Sequence, residues 1–355
     1  MNCGSWFSHL MLSTGEHHPE RQCFIIAEVG VNHNGSLDLA TRLVDVAAEA
    51  GATAVKFQSF KAEKLVLPSA RKARYQAERT GSKESQFEML KRLELSESDH
   101  RDLFNYCKKR GIIFLSTPFD EESADFLESL GITAYKLPSG EITNFRLLRS
   151  VARKQKPIIL STGMCTLSDV ESALSIIESQ GNTQVALLHT VSSYPADPQD
   201  VNLKAIDTLA AAFGKPVGYS DHTLGIEVAL AAVARGACIV EKHLTLDRRF
   251  PGPDHAASAE PAEFAQLVKG IRNIEKALGD GRKKPRPSEN DISLAARRSI
   301  VLAKDVAAGT CLTEEHLALR RPGNGLPPSL WPLIIGRTMR HDASEGTPLT
   351  LEMLQ

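Results

Sequence analysis

The sequence of 355 residues contains no long apolar run, no excess of charge of either sign and no closely spaced pair of cysteines. No segment approaches the roughly 20 apolar residues that a membrane-spanning helix needs. Lysine and arginine together number 42, and aspartate and glutamate 43, so the chain lacks the basic surface that nucleic-acid binding requires. We therefore expect neither a membrane nor a nucleic acid among its partners.

The six cysteines are scattered through the sequence without a CxxC pair. Several stand in apolar stretches, where a reduced cysteine behaves as a small hydrophobic side chain, and this pattern predicts a cytoplasmic protein. Residues 1–22 are polar and lack the basic start and apolar core of a signal peptide. We interpret them as a flexible extension, with Met11 as an alternative start.

Short apolar stretches alternate with helical periodicity over residues 23–280. Eight stretches predict strands, at Phe24–Val29, Ala54–Ser59, Ile112–Thr117, Ala134–Leu137, Pro157–Ser161, Val185–Thr190, Pro216–Ser220 and Cys238–Leu244. Strands that are apolar throughout are typical of a parallel sheet covered on both faces. Eight successive strand–helix units favour a (β/α)₈ TIM barrel over the alternative, an open doubly wound sheet.

Helical periodicity fills the segments between the strands. One predicted helix places Leu39, Leu43, Val46 and Ala50 on one face, and another does so with Phe264, Leu267, Val268, Ile271 and Leu278. The pair Ser168 and Glu171 has capping-box spacing and predicts the start of a further helix. Residues 61–96 form a long charged connection after the second strand, and a connection of this length is often an active-site lid.

The composition changes after the barrel region. Residues 281–294 are basic and rich in proline, which predicts a linker. Residues 295–355 contain an internal repeat, in which Asp305, Gly309, Thr310 and Leu312 recur as Asp342, Gly346, Thr347 and Leu349. Each copy predicts a strand, a glycine turn, a second strand and a short helix entered at a threonine, so we expect a small β-rich domain of pseudo-symmetric halves.

The C-terminal ends of the predicted strands are unusually polar, and barrel enzymes carry their catalytic groups at these ends. The polar groups are Glu28 with Asn32 and His33, Lys56 with Gln58, Thr117, Lys136 with Ser139, Ser161 with Thr162, His189 with Ser193 and Tyr194, Ser220-Asp221-His222, and Glu241 with His243. Two lysines and several hydroxyl groups converging on one barrel mouth predict an anion site suited to a phosphate.

Two further sets of residues predict catalytic chemistry. His222 and His243 end neighbouring strands, and parallel strands lie about 4.8 Å apart, so the two imidazoles can hold one metal ion with positions left open for substrate. Glu241 lies on the same face as His243 and could support it. Glu28 and Asp254 are candidate acid–base groups, and the sequence alone does not distinguish the acid from the base.

At these positions the chain resembles the sialic acid synthase family. The motifs that carry the resemblance are Ala27-Glu28-Val29-Gly30-Val31-Asn32-His33-Asn34-Gly35, Val55-Lys56-Phe57-Gln58, Ser116-Thr117-Pro118-Phe119, Lys136-Leu137-Pro138-Ser139-Gly140-Glu141, Leu160-Ser161-Thr162-Gly163-Met164, Tyr219-Ser220-Asp221-His222-Thr223, Glu241-Lys242-His243 and Gly252-Pro253-Asp254-His255. The C-terminal region resembles the antifreeze-like (SAF) module of that family, including the segment Arg320-Arg321-Pro322-Gly323-Asn324-Gly325.

The resemblance implies a role for each matching residue. Lys56, Thr117, Lys136, Ser139, Ser161 and Ser220 would bind phosphoenolpyruvate, and Gln58, Ser192, Tyr194 and Arg321 would contact an N-acylated amino sugar. Glu28, Asp254 and Glu241 would be catalytic, and His222 and His243 would bind a divalent ion, Mn²⁺ in the first place, with Mg²⁺ or Co²⁺ as alternatives. Arg321 would reach the site of the other subunit in a domain-swapped homodimer.

The resemblance implies an enzyme that condenses phosphoenolpyruvate with a sugar aldehyde and releases phosphate by C–O cleavage. N-acetylmannosamine, giving N-acetylneuraminate, is the first expected substrate, and the legionaminate precursor 2,4-diacetamido-2,4,6-trideoxymannose is the alternative. The loop after the sixth strand departs from the family pattern, with Thr190 in place of cysteine. Two rival hypotheses are a Schiff-base lyase using Lys56 or Lys136, and an ice- or carbohydrate-binding protein with an inert barrel.

Overall fold

The strands lie where the sequence pattern predicts them. The computed structural model describes residues 22–81 and 84–355, so the predicted N-terminal extension, apart from Gln22, and the alternative start at Met11 lie outside the described residues. The strands are β1 (Phe24–Gly30), β2 (Ala54–Ser59), β3 (Ile113–Pro118), β4 (Tyr135–Leu137), β5 (Ile158–Ser161), β6 (Val185–Thr190), β7 (Val217–Asp221) and β8 (Ile239–His243). No strand end differs from its prediction by more than one residue.

All eight strands belong to one parallel sheet in the order β3-β2-β1-β8-β7-β6-β5-β4. The pairing of β1 with β8 joins the first strand to the last, which is the closure that a TIM barrel requires. The register sets Glu28 beside Lys56 on one side and beside His243 on the other. Ser220 likewise lies beside Glu241. The predicted barrel is confirmed, and its closure brings the polar strand ends together.

Helices follow the strands and cover the outside of the sheet. Those of the barrel are α1 (Leu37–Glu49), α2 (Ala62–Leu65), α3 (Arg74–Thr80), α4 (Gln86–Leu93), α5 (Glu97–Arg110), α6 (Glu121–Leu130), α7 (Phe145–Arg153), α8 (Leu167–Glu178), α9 (Pro198–Val201), α10 (Ala205–Phe213), α11 (Glu227–Ala234) and α12 (Pro261–Leu278). Within residues 22–81 and 84–355, no helix has the length and apolar character needed to cross a membrane.

Two details of the predicted helices are wrong. Helix α8 begins at Leu167 with Thr166 as its N-cap, and the Asp169 carboxylate accepts a hydrogen bond from the Thr166 amide. Ser168 and Glu171 have the same spacing two residues later, but both lie inside the helix, where no free backbone donors need a cap.

The apolar faces of α1 and α12 also shift slightly from their predictions. Helix α1 buries Ala40, Leu43, Val44 and Ala47. Of its predicted face, Leu43 is buried, and Leu39, Val46 and Ala50 are half-buried. Helix α12 buries the predicted residues Phe264, Leu267, Val268 and Ile271. Leu278, at the end of α12, is 53% exposed. Periodicity therefore locates the helices correctly and places their buried faces to within about one residue.

Residues 280–355 form a second compact unit. It contains the helices α13 (Asn290–Ala296) and α14 (Trp331–Ile334) and the antiparallel strands β9 (Ser299–Leu302) and β10 (Leu317–Arg320). Helix α13 and a 3₁₀ turn at Pro287–Glu289 lie in or at the end of the segment predicted to be a linker. The two repeat copies contact each other reciprocally. Asp305 accepts a hydrogen bond from the Glu345 amide, and its counterpart Asp342 accepts one from the Ala308 amide.

Candidate active site

The inside of the barrel changes from apolar to charged along the strands. The lower layers pack Phe24 and Ile26 of β1 against Ala54, Ile113, Leu115, Ala134, Ile159, Ala186, Leu188 and Ile239. Two residues further along each strand, the same inward positions hold ionisable or hydroxyl groups. Side chains alternate between the two faces of a strand, so β1 continues from Ile26 to Glu28 and β8 from Ile239 to Glu241 and His243. The apolar layers therefore close the barrel interior below a polar cavity, which is called the polar chamber below and lies at the C-terminal ends of the strands.

Four charged side chains meet at the centre of this chamber. Lys56 Nζ lies 3.1 Å from Glu28 Oε2 and 2.9 Å from Glu241 Oε2. Lys136 Nζ lies 3.5 Å from Glu241 Oε1 and donates a hydrogen bond of 2.8 Å to Ser161 Oγ. All four charged residues are at most 4% exposed. Burying charges is costly unless they are paired, so the two carboxylates hold the two lysines in the barrel interior.

The two carboxylates of this cluster have opposite pKa shifts. Burial raises the pKa of Glu28 to about 7, although Lys56 opposes the shift. Burial also disfavours the charged form of Glu241, but the nearby Lys136 and Lys56 outweigh it and lower the pKa of Glu241 to about 2. Burial lowers the pKa of Lys136 to about 8, against the attraction of Glu241. Glu28 can therefore gain and lose a proton near neutral pH, while Glu241 stays ionised.

Hydroxyl and amide donors surround the lysines on the cavity wall. Thr117, Ser139, Ser161 and Ser220 all line the same cavity. Ser220 donates to Glu241 at 3.0 Å, whereas the buried Oγ1 of Thr117 has no hydrogen-bond partner among the described residues. A buried polar atom without a partner is rare, and this hydroxyl is therefore free to bind a ligand. Together with the lysines, these donors suit a phosphate or carboxylate.

The backbone at Gly163 lies close to two serines of the cavity wall. The Gly163 amide donates a hydrogen bond of 2.8 Å to Ser139 Oγ. A Cβ at position 163 would lie 2.9 Å from the same oxygen and closer still to Ser192 Oγ. Any larger residue would therefore displace both serines, so the glycine in the Ser-Thr-Gly motif is required by packing at the site.

The two predicted metal-binding histidines lie side by side at the same mouth. The ring centroids of His222 and His243 are 5.5 Å apart. His222 Nδ1 donates a hydrogen bond of 2.7 Å to the Val191 carbonyl, which leaves Nε2 with a free lone pair. In the described part of the chain, the buried Nδ1 of His243 has no hydrogen-bond partner. Burial lowers the pKa of both imidazoles below the usual value of 6.5, which favours their neutral form at pH 7.

These features fit a divalent ion bound by two neutral imidazoles. A neutral imidazole is a typical metal ligand. A hydrogen bond donated by one ring nitrogen fixes the tautomer, so that the lone pair of the other nitrogen is available to the metal. In the part of the chain that the structure describes, no group of three or more His, Cys, Asp or Glu side chains is arranged to hold a metal. If His222 and His243 are the ligands, the other coordination positions stay open for substrate oxygens and water.

The connection predicted to be a lid contributes one side of the cavity. Helices α2, α3 and α4 all belong to it, and Leu65, Val66, Tyr75, Gln76, Gln86, Met89, Leu90 and Leu93 line the cavity together with the polar strand ends. The cavity has a volume of about 430 Å³, a size that suits a small-molecule substrate. The sequence singled out this segment by its length, but it did not indicate that Tyr75 contacts the site.

The residues assigned to the sugar in the barrel also line this cavity. Gln58 Nε2 lies 3.5 Å from Glu28 Oε1, and Ser192 and Asp254 belong to the wall. The ring of Tyr194 contacts that of His222, with centroids 4.2 Å apart and an angle of 37° between the planes. Arg321 is exposed on the C-terminal unit.

Six of the polar residues predicted at the strand ends do not line the cavity, namely Asn32, His33, Thr162, His189, Ser193 and Asp221. Asn32 donates to the Leu244 carbonyl and to Ser258, and His33 Nδ1 accepts a hydrogen bond from the Gly35 amide. His189 Nε2 donates to the Val201 carbonyl at 2.6 Å. Asp221 instead forms a fully buried ion pair of 2.6 Å with Lys242. The Asn32 amide donors, His189 and the Asp221–Lys242 pair stabilise the loops and strands around the site through these contacts. The buried Oδ1 of Asn32 has no hydrogen-bond partner among the described residues.

Asp254 provides a test of the electrostatics of the site. Burial raises its pKa from 3.8 to about 6, so folding disfavours the ionised carboxylate. The destabilisation is absent below about pH 4, grows between pH 4 and 6, and reaches roughly 3 kcal/mol above pH 6. Asp254→Asn should therefore raise the free energy of unfolding at pH 7 by up to this amount, with no difference at pH 4, as measured by urea unfolding across this pH range.

A second aspartate in the same region is the matched control. Arg249 holds the pKa of Asp247 at about 2 through paired hydrogen bonds. A lowered pKa means that the ionised form stabilises the fold above pH 4, so Asp247→Asn should slightly lower stability at pH 7. If Asp254→Asn also lowered stability at pH 7, Asp254 would be a paired charge rather than an isolated buried one.

Comparison with known proteins agrees with this geometry. The NeuB family model matches residues 43–283, and the SAF domain model matches residues 297–355. The N,N'-diacetyllegionaminic acid synthase of Legionella pneumophila is 51% identical over 337 residues, which cover 94% of this chain and 95% of that protein. The human N-acetylneuraminate-9-phosphate synthase is 34% identical, covering 96% of this chain and 94% of that protein.

A solved structure is similar in both sequence and fold. The crystal structure of N-acetylneuraminic acid (sialic acid) synthetase from Leptospira borgpetersenii, in complex with citrate, is 40% identical with a TM-score of 0.68. The match covers 76% of this chain and 90% of that chain.

Proposed function

We infer that this chain, which belongs to the NeuB family, condenses phosphoenolpyruvate with the open-chain aldehyde of an N-acylated amino sugar and releases phosphate. The observation that carries this proposal is the buried cluster of Glu28, Lys56, Lys136 and Glu241 beside the His222–His243 pair in a single cavity. Family membership and this arrangement favour a synthase over a Schiff-base lyase and over a binding protein with an inert barrel.

For the sugar, we propose 2,4-diacetamido-2,4,6-trideoxymannose, with N,N'-diacetyllegionaminate as the product. Support comes from the 51% identity with a legionaminic acid synthase over almost the whole chain, compared with 34% for the human N-acetylneuraminate-9-phosphate synthase. The comparisons thus favour the alternative substrate over N-acetylmannosamine, which the sequence motifs alone had favoured.

The lysine side of the cavity would bind phosphoenolpyruvate. Lys56 and Lys136 supply positive charge, while Thr117, Ser139, Ser161 and Ser220 line the same cavity as hydroxyl donors. The trianionic substrate would also favour the protonated form of Lys136, whose pKa is lowered to about 8 without it. Phosphoenolpyruvate binding would therefore increase the fraction of Lys136 that is protonated and positively charged.

The proposed reaction balances as phosphoenolpyruvate plus sugar plus water giving a nine-carbon acid plus phosphate. Carbon 3 of phosphoenolpyruvate forms a bond to the aldehyde carbon, and the aldehyde oxygen takes up a proton. Water then adds to carbon 2 and loses one proton. As the bond from carbon 2 to the phosphate oxygen breaks, the remaining hydroxyl proton passes to the departing phosphate and a ketone forms at carbon 2. Protonation of the aldehyde oxygen and deprotonation of the water need a group with a pKa near neutral, and Glu28 is a carboxylate of the cluster with such a pKa.

Glu241 has a different role in this proposal. It stays ionised at neutral pH and contacts both lysines and Ser220, so it orients the phosphoenolpyruvate-binding groups rather than exchanging protons. His222 and His243 would hold a divalent ion, Mn²⁺ in the first place, which supplies Lewis-acid polarisation of the sugar aldehyde when bound.

We also propose that the active form is a domain-swapped homodimer in which Arg321 reaches the sugar in the partner's barrel. This proposal rests on the resemblance of the Arg321 segment to the SAF module and on the match of the SAF domain model to residues 297–355. In the substrate assay, Arg321→Ala should raise KM for the sugar and leave KM for phosphoenolpyruvate unchanged. Equal effects on both substrates would contradict this role.

The direct test is turnover of phosphoenolpyruvate with each of the two sugars in the presence of Mn²⁺. We expect a nine-carbon acid and phosphate in equal amounts, and a kcat/KM for the diacetamido sugar about 10- to 100-fold above that for N-acetylmannosamine, since apolar groups in a pocket discriminate by about this factor. A preference for N-acetylmannosamine would overturn the proposed substrate. Inactivity with both sugars would overturn the proposed reaction.

A further inference from the structure

The cavity has two chemically different sides. Strand ends supply the charged and hydroxyl groups, whereas the 61–96 segment supplies mostly apolar ones. Its apolar lining residues are Leu65, Val66, Met89, Leu90 and Leu93, and Met89 and Leu93 are buried in a small core with Val31 and Phe60. A substrate that fills the cavity must therefore present polar groups to the barrel and apolar groups to this segment.

Tyr75 of helix α3 connects these two sides. Its ring stacks on that of Tyr194 with centroids 5.1 Å apart and an angle of 27° between the planes. Tyr194 in turn contacts His222 at a tilt of 37° and meets His243 edge-on at 5.8 Å. A continuous series of rings therefore runs from the histidine pair to the 61–96 segment, with Tyr75 as its outermost member.

Charged contacts fix the position of helix α3. Lys72 Nζ, on the residue two before the helix, donates to Thr80 Oγ1 at 2.8 Å and to the Gly81 carbonyl at 3.0 Å, both at the far end of the helix. It also pairs with Glu84, which pairs with Arg92. The Lys72 side chain is only 2% exposed. These contacts place the Tyr75 ring in the cavity wall before any substrate binds.

The hydroxyl of Tyr75 and the face of its ring differ in what they offer a substrate. Gln76 Nε2 donates to the Tyr75 hydroxyl at 3.3 Å, and Gln76 Oε1 accepts a hydrogen bond from the Ala73 amide. A substrate hydroxyl placed against the face of the Tyr75 ring would lose its hydration there without gaining a hydrogen-bond partner from the ring, which is unfavourable. A methyl group in the same place would gain from burial.

We propose that Tyr75 is a specificity-determining residue for the sugar, and that its ring forms part of an apolar wall that accepts the methyl groups of a deoxy, N-acylated substrate. This inference rests on the proposed function. Relative to N-acetylmannosamine, the diacetamido trideoxy sugar has a methyl group at carbon 6 and an acetamido group at carbon 4, where N-acetylmannosamine carries hydroxyls. Both replacements add apolar surface that the wall can bury.

The test compares kcat/KM for the two sugars at saturating phosphoenolpyruvate in wild type, Tyr75→Ala and Tyr75→Phe. Tyr75→Ala should lower kcat/KM for the diacetamido sugar by about 10- to 100-fold and for N-acetylmannosamine by less than about threefold, because only the first sugar buries methyl groups on the ring. Tyr75→Phe keeps the ring and should preserve the ratio of the two values to within about threefold. Because the ratio is measured on one preparation, loss of folded enzyme cancels.

A neighbouring exposed residue is the matched control. Arg74 pairs with Glu78 on the same helix, and its side chain is 93% exposed, so Arg74→Ala should leave both kcat/KM values unchanged. If the ratio of the two kcat/KM values were unchanged in Tyr75→Ala, the proposal would be overturned. If Tyr75→Phe lowered this ratio as much as Tyr75→Ala, the effect would belong to the hydroxyl and not to the ring. If the wild type turned over neither sugar, the proposed function itself would be wrong. This outcome differs from an unchanged ratio in Tyr75→Ala, which would contradict only the role of Tyr75.

Discussion

Replacing His222 by alanine is expected to lower kcat by about 10³-fold or more and to abolish binding of Mn²⁺, while the barrel stays folded. His222 Nδ1 is fixed by the Val191 carbonyl, and its other nitrogen is free beside His243. With one imidazole gone, the remaining histidine cannot hold the ion alone, and a Lewis acid contributes several kcal/mol to carbonyl polarisation. Mn²⁺ binding, measured by electron paramagnetic resonance on the purified protein, checks the loss independently of turnover.

The control for this prediction is His341→Ala, because His341 is an exposed histidine of the C-terminal unit. It should bind Mn²⁺ and turn over like the wild type. Chelator should mimic His222→Ala in the wild type, and added Mn²⁺ should restore activity. Full activity in the presence of chelator would contradict the metal assignment.

Replacing Lys136 by methionine should raise KM for phosphoenolpyruvate by on the order of 10²-fold and change KM for the sugar little. Methionine keeps the length of the side chain but removes the charge that lies beside Glu241 and Ser161. Truncating one partner of a buried charge-assisted contact costs about 3 kcal/mol, partly because the ionised Glu241 loses one of its two lysines. Initial-rate kinetics with each substrate varied in turn measure the two KM values.

An exposed lysine of the barrel is the matched control for Lys136→Met. Lys109 lies on the solvent face of α5, and Lys109→Met should leave both KM values unchanged. If Lys136→Met raised KM for the sugar as much as KM for phosphoenolpyruvate, the lysine would belong to a shared region rather than to the phosphoenolpyruvate subsite.

The barrel and most of its polar chamber could be predicted because strand alternation is a local property. Each apolar strand ends in an inward-facing polar residue two positions after an inward-facing apolar one, as Ile26 and Glu28 or Ile239 and Glu241 do. Closing eight such strands brings their ends together whatever the details of the loops. Alternation also explains why His189 and Asp221, although they lie at strand ends, do not line the cavity: they are next to inward-facing positions and point to the other face.

The pairing of Asp221 with Lys242 depends on neighbouring strands and cannot be read from either segment alone. Both residues lie next to inward-facing positions, so alternation places them on the outer face, under the helices. An unpaired charge there would be very costly, and the register of β7 with β8 brings the two together at 2.6 Å. The strand register, which cannot be read from the sequence, shows that the two charges compensate each other.

The role of Tyr75 was missed for a different reason. The 61–96 segment was recognised by its length and charge, yet its contact with the cavity depends on how α3 folds back over the barrel. The contacts of Lys72 that fix this helix run to Thr80, Gly81 and Glu84, and none has a spacing that a sequence pattern identifies. The sequence did show an aromatic residue, Tyr75, within a polar insertion. Such a residue indicates that the ring packs against another part of the protein, but not which part.

The most direct test of the proposed reaction uses phosphoenolpyruvate labelled with ¹⁸O at the oxygen that bridges carbon 2 and phosphorus. With the diacetamido sugar and Mn²⁺, the proposed mechanism predicts one nine-carbon acid for each phosphate released, with the label in the phosphate because the carbon–oxygen bond breaks. Label retained in the sugar acid, or phosphate released without a nine-carbon acid, would contradict the account.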